Sequence, residues 1–250
     1  MITDAADGTA LALLYHLNSE SWGRSGIAFD PNNVPARRSI ADPRPIALDG
    51  ASTASHVADL TARRRSCRQY ASRTMSLATA SALLRACYGV TELRHETASW
   101  ARWGRAVPSA GGLYPLEVYV AMHDVEGVPN GVFRYEPIDD CLASLAACRR
   151  HDVEQAVFSP EFIAQANMLV ALSGTFSASQ NKYGPRGYRY MLLEAGHVGQ
   201  NLCLAAVELG CATLCLGGYD DALLNRILGL RTLEEAVLYC VAVGFDKADA

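Results

Sequence analysis

Residues 181–202 read NKYGPRGYRYMLLEAGHVGQNL, and the pattern they open decides much of the fold. From Gly187 to Gly210 (GYRYMLLEAGHVGQNLCLAAVELG) runs the longest helical pattern in the chain, with Gly210 as its stop. At 100° per residue Gly196, Gly199, Cys203, Ala206 and Gly210 share one face. Tyr190, Glu194, His197 and Asn201 lie nearly opposite, with Val198, Leu202 and Leu209 between. Little of this helix suits open water. It reads as a central helix whose small-residue stripe admits another backbone closely, at a subunit interface or in ordinary intramolecular packing.

Working outward, the strands and helices mix without strict βαβ alternation, which argues an α+β fold with a mixed or antiparallel sheet flanked by helices. LEVYVAMHD (116–124) and GVFRYEP (131–137) read as strands joined by VEGVPN, a hairpin-like turn. NMLVALSG (167–174), ATLCLGG (212–218) and AVLYCVAVG (236–244) read as further strands. Ser76 caps a helix that ends at Gly89. CLASLAACRRHDVEQAVF (141–158) and DDALLNRILGL (220–230) read as helical, and 91–107 as a polar, aromatic loop. ALALLYHL, within residues 7–19, reads as a short helix, and 20–55, rich in Pro, Asn, Ser and Arg, as an extended segment. Together, residues 1–55 form an N-terminal arm and 56–250 the compact domain.

The 250 residues are 50% hydrophobic and 19% charged, enough to bury a core. A net charge of −4 gives no electrostatic case for nucleic acid or an anionic membrane. The first residues lack the basic start of a signal peptide, and no apolar run reaches membrane-spanning length. A cytoplasmic protein is the expectation, and the eight cysteines read as mostly buried thiols rather than disulfides. CATLC (211–215) has no second ligand pair at zinc spacing, so no metal is expected.

Four stretches could carry chemistry. In RRRSCRQY (63–70), Arg64, Ser66 and Arg68 alternate, so an extended backbone points all three one way, as a phosphate would need; a solvated basic run is the plainer reading. In RAVPSAGGLYPLEVYV (105–120), Pro108, Ser109, Ala110 and Gly111 put bare backbone before a strand, where a flat ligand could lie, or where the chain simply turns tightly. Gly217 and Gly218 end a strand ahead of a helix. Lys182 beside Tyr183 suits proton transfer, because an ammonium favours a phenolate, or is an exposed Lys beside a packed Tyr. Neither G-x-G-x-x-G after a first strand nor G-x-x-x-x-G-K-[ST] occurs, so a classical dinucleotide fold and a P-loop are unsupported.

The order of these stretches is more specific than any one. Arg-x-Ser-x-Arg, Pro-Ser-Ala-Gly before a strand, Lys-Tyr-Gly-x-Arg-Gly-Tyr-Arg into Leu-Glu-Ala-Gly-His, then Leu-Gly-Gly, resembles the SagB-type dehydrogenases of the nitroreductase-like flavoproteins, which include azoline oxidases. The resemblance spans roughly residues 60–244, and YHLNSE near residue 15 resembles that family's N-terminal motif. It implies FMN between the subunits of a homodimer with the long helix at the interface. Arg64, Ser66 and Arg68 would hold the phosphate, and Pro108, Ser109, Ala110 and Gly111 of the partner subunit would line the flavin. Gly217 and Gly218 would face its N5 edge, and Lys182 and Tyr183 would serve catalysis. The expected activity is oxidation of a thiazoline or oxazoline in a peptide or carrier-bound intermediate, with O2 reoxidising the flavin and a cyclodehydratase as partner. The alternatives are a general NAD(P)H-dependent nitroreductase or quinone reductase, and a flavin-less scaffold of a peptide-modifying complex. One feature departs from the family pattern. Only Lys247 follows the last strand as a basic residue, so no C-terminal phosphate contact is expected. Arg94, His95, Trp100 and Trp103 are candidates for a substrate cover, or for an inert crossing.

Overall fold

The computed structural model describes residues 13–19, 55–96, 101–230 and 235–249. Most of the predicted arm, Trp100, and the side chains of Arg94 and His95 therefore lie outside the described residues.

Residues 13–19 are helical (α1), and α2 spans His56–Arg63 and α3 Leu77–Tyr88. Strands β1 (Val90–Glu96) and β2 (Ala101–Arg105) follow, then β3 (Leu116–Met122), β4 (Gly131–Glu136), β5 (Cys141–Ala147) and α4 (Arg150–Gln155). Next come β6 (Met168–Thr175), α5 (Phe176–Tyr183), α6 (Arg186–Glu208), β7 (Ala212–Leu216), α7 (Asp221–Ile227) and β8 (Glu235–Gly244). Six strands form one antiparallel sheet in the order β5-β4-β3-β6-β8-β7. The α+β fold read from sequence stands, in its antiparallel form.

Both faces of this sheet are buried. Along β6, Met168, Val170 and Leu172 enter the core shared with α3 and α6, while Leu169 and Ala171 enter the core shared with α4 and α7. Alternate side chains of a strand point to opposite faces. That is why this strand reads as a continuous apolar run rather than an alternating one. Fully burying each such Leu, Val or Met stabilises the fold by roughly 1.5–3 kcal/mol.

Helix α3 begins as expected: the Ser76 hydroxyl accepts from the Thr79 N–H at 3.1 Å. Gly89 ends it, and a Cβ there would stand 2.5 Å from the Arg85 carbonyl oxygen. Two local expectations fail. Residues 141–147 form edge strand β5 instead of a helix, and α4 covers only Arg150–Gln155. After the 137–140 turn, with Asp140 at φ 49° and clamped by Arg85, β5 meets the open edge of β4. Backbone pairing across that edge outweighs weak local helix propensity. Likewise, 91–107 is not a loop: β1 and β2 pair antiparallel, with Leu93 opposite Trp103.

The small-residue stripe of α6 meets the sheet. Gly199, Cys203 and Ala206 are buried, and a Cβ at Gly199 would lie 2.8 Å from the Tyr239 ring. Gly196 and Gly210 instead border open space, so the stripe divides between intramolecular packing and solvent. Gly199→Leu is expected to destabilise the fold by about 1–3 kcal/mol in urea unfolding, since a well-packed interface has no room for the added methylenes. Gln200→Leu on the adjacent exposed face should stay within about 0.5 kcal/mol.

Candidate active site

Lys182 and Tyr183 occupy the last turn of α5 rather than a loop. Gly184, at φ 56°, breaks the chain before α6 starts. Gly187 lets the two helices touch: a Cβ there would stand 2.7 Å from the Ser179 carbonyl carbon. The Tyr183 ring is braced edge-on by Tyr190, with centroids 5.0 Å apart. The Lys182 ammonium sits 5.3 Å from the Tyr183 ring centre.

Both polar heads converge on Gly111. A Cβ built there would lie 2.6 Å from Lys182 Nζ and closer still to the Tyr183 hydroxyl. Gly111 also has φ 62°, a conformation in which any side chain is strained. The sequence-predicted 108–111 turn and the Lys-Tyr pair thus meet within a single chain. A hydroxyl and an ammonium over bare backbone form a place where a substrate proton could be passed.

Buried hydrogen bonds fix this turn from behind. Glu194 of α6 is 2% exposed and accepts from the Tyr88 hydroxyl at 2.8 Å. It also accepts from the Ser109 hydroxyl, and Ser109 Oγ accepts from the Tyr114 N–H at 2.9 Å. Arg105 stacks over the Tyr88 ring at 4.3 Å and the Tyr114 ring at 5.2 Å. Burial pushes the Glu194 carboxyl above the usual range, against the Ser109 and Tyr88 donors and the Arg105 charge. Asn201, one further turn pair along α6, donates to the Ala106 carbonyl at 3.0 Å, holding the approach to the same turn. Glu194 and Asn201 carried no assigned role in the sequence reading. The signal was there: a carboxylate and an amide inside an apolar helix must find partners.

The other predicted residues gather at edge strand β7. Ser66 bridges Thr213 in parallel, and the Cys67 N–H donates to the Thr213 carbonyl at 2.8 Å. Cys67 is buried, while Ser66 and Arg68 are exposed and Arg64 is half-buried; Arg65 and Gln69 are exposed too, so burial does not give Arg64, Ser66 and Arg68 a face of their own. Among the described residues neither the Arg64 nor the Arg68 guanidinium has a carboxylate partner; Arg68 stacks 5.7 Å from the Phe162 ring centre. β7 then delivers Gly217, bordered by open space, and Gly218, before Asp220 caps α7 through the Leu223 N–H at 2.8 Å. Gly217 lines a cavity of about 160 Å³ together with Tyr15 and His16 of α1. His16 is buried and its Nδ1 lies 2.9 Å from the Tyr188 hydroxyl, so the N-terminal motif docks on the start of α6. Two guanidiniums and a hydroxyl close together in the sequence fit a phosphomonoester, and bare backbone at Gly111 and Gly217 fits a flat ring.

Residues 61–245 match the nitroreductase family. MJ1384 of Methanocaldococcus jannaschii, which carries a nitroreductase designation, is 36% identical over 187 residues, covering 74% of this chain and 89% of that protein. The microcin B17-processing protein McbC of Escherichia coli is 28% identical over 132 residues, covering 50% of this chain and 48% of McbC. Among solved structures, a chain of the E. coli microcin synthetase McbBCD complex with truncated pro-MccB17 bound superposes with a TM-score of 0.75. Its identity is 20%, and the match covers 97% of this chain and 94% of that one. No described helix is long and apolar enough to cross a membrane.

Glu194→Ala is expected to cost about 1–3 kcal/mol, because it strands the Tyr88 and Ser109 donors. The raised Glu194 carboxyl contributes stability that is complete below the ordinary glutamate range and is lost as pH rises through its folded-state value. Glu194→Gln removes that dependence. Urea unfolding across pH should show the advantage of wild type over Glu194→Gln shrinking from the ordinary glutamate range upward.

Proposed function

The chain belongs to the nitroreductase family, and from that premise we propose that it is an FMN-dependent dehydrogenase that oxidises a thiazoline or oxazoline ring to the azole. The substrate is a peptide or a carrier-bound peptide-like intermediate, and the setting is the cytoplasm, beside a cyclodehydratase. The observation that carries this reading is the convergence of the Lys182 ammonium and the Tyr183 hydroxyl on Gly111. Aromatising an azoline removes a proton from a ring carbon as well as a hydride, and that proton needs a base. A reductase passing hydride to a nitro group has no use for a base at that position. The likeness to McbC and to a chain of the McbBCD complex supports a peptide substrate.

Bound FMN, which nitroreductases generally carry, would supply the hydride acceptor, with O2 as the terminal oxidant. Arg64, Ser66 and Arg68 hold its phosphate in this reading. Pro108, Ser109, Ala110 and Gly111 line the ring, and Gly217 and Gly218 approach it with bare backbone. Tyr183 takes the ring-carbon proton. Lys182 stabilises the phenolate that receives it, and Tyr190 keeps the phenol in place. The partner is a second copy of the chain, which joins the β7 group of one protomer to the Gly111 group of the other. The outward side of α6 supports this, since Leu193 is 57% exposed beside open Gly196.

A second reading, reduction of nitroaromatics or quinones at the expense of NAD(P)H, is favoured by the 36% identity to MJ1384. The purified protein is expected to be yellow and to release FMN on denaturation. Tyr183→Phe and Lys182→Ala should each lower azoline oxidation by roughly 10²- to 10⁴-fold while retaining FMN. Unchanged turnover with FMN bound overturns the assignment of the pair, and steady NADPH oxidation with nitroaromatics in place of azoline turnover selects the second reading. Arg64→Ala should weaken FMN binding roughly 10- to 100-fold in a fluorescence titration, as expected for loss of a charge-assisted contact.

A further inference from the structure

Two cysteines outside the groups assigned above meet where β7 lies over α6. Cys203 Sγ stands 3.6 Å from Cys215 Sγ, and the Thr213 hydroxyl donates to Cys203 Sγ at 3.3 Å. Cys203 is buried and Cys215 exposed. The polar chain therefore runs outward from Thr213 through Cys203 to Cys215. The Cys203 thiol, the Tyr239 hydroxyl and the Arg64 charge all hold Cys215 below the usual thiol range, against its partial burial. The bond to Cys215, together with burial, raises Cys203. The thiolate is the form of cysteine that attacks electrophiles. Cys141, the other exposed cysteine, has no second sulfur in contact with it among the described residues.

We propose that Cys203 and Cys215 form a dithiol site that hydroperoxides oxidise to a disulfide, with Cys215 the attacking sulfur and Cys203 the resolving one. The Cys215 sulfur attacks one peroxide oxygen, the O–O bond breaks, and hydroxide leaves and takes up a proton as water. Cys215 becomes a sulfenic acid. The Cys203 sulfur then attacks that sulfur, and its proton departs with the hydroxyl as a second water. Two thiols lose two electrons, and one hydrogen peroxide becomes two waters. A disulfide needs the sulfurs at about 2.05 Å, and the two now stand in van der Waals contact. O2 that accepts two electrons becomes hydrogen peroxide, so the reaction proposed above would supply this oxidant. The site itself stands without that reading.

The test uses the full chain, reduced and then freed of reductant. It is treated with hydrogen peroxide, blocked with iodoacetamide, digested without reduction and mapped by mass spectrometry. The expected result is a linked pair of peptides containing Cys203 and Cys215, formed before the remaining cysteines change and reversed by dithiothreitol. Cys203→Ser should leave Cys215 as a sulfenic acid that dimedone traps. Cys215→Ser should leave Cys203 unreactive at the same peroxide exposure. Recovery of both sulfurs as alkylated thiols overturns the proposal, as does conversion of Cys215 to sulfinic acid without a cross-link in the wild-type chain. The wild-type map decides even if a serine at buried Cys203 prevents folding.

Discussion

Helix α6 can lie close against the sheet because Gly199 leaves room for the Tyr239 ring. Interiors pack at crystal-like density, so a helix cannot move outward at one point without moving everything attached to it. Four functional features hang from this helix. Its first turn receives α5 at Gly187, which sets Lys182 and Tyr183. Its middle presents Glu194 to Tyr88 and Ser109. Its next turns offer Asn201 to the Ala106 carbonyl and Cys203 to Cys215.

The helix thus has three working sides. One is apolar and small, and is spent on the sheet. A second carries the buried Glu194 carboxylate and the half-buried Asn201 amide, which bond specific donors and acceptors on α3 and the 105–114 stretch. This gives the turn at Gly111 a defined position despite its lack of side chains. The third side is open, with Leu193 and Gly196 facing outward.

Charge is distributed differently at the two ends of the proposed site. Behind Gly111 the buried Glu194 carboxylate accepts from Tyr88 and Ser109, which fixes geometry. Along β7, Arg64 and Arg68 lack carboxylate partners among the described residues, and their charge is available to an anion. Arg64 also acts on the Cys203–Cys215 pair, so the proposed phosphate grip and the proposed dithiol share one electrostatic environment.

Much of this was legible in the residues. The α6 pattern, the Ser76 cap and the buried run at 167–174 follow from local periodicity and capping, which depend on neighbours a few residues apart. Residues 141–147 misled because their strand state depends on the free edge of β4, and 91–107 because register shifts in the β1–β2 pairing blur the alternation that marks a strand. The sequence alone marked Gly111, Lys182, Tyr183, Glu194 and Cys203 as present and placed the last two on one helix. Only the tertiary structure decided that Gly111 lies under the Lys-Tyr pair, that Glu194 reaches Ser109, and that Cys203 touches Cys215. Those contacts join residues far apart along the chain, and what brings them together is the closeness with which α6 meets the sheet, a property of packing that no local pattern encodes.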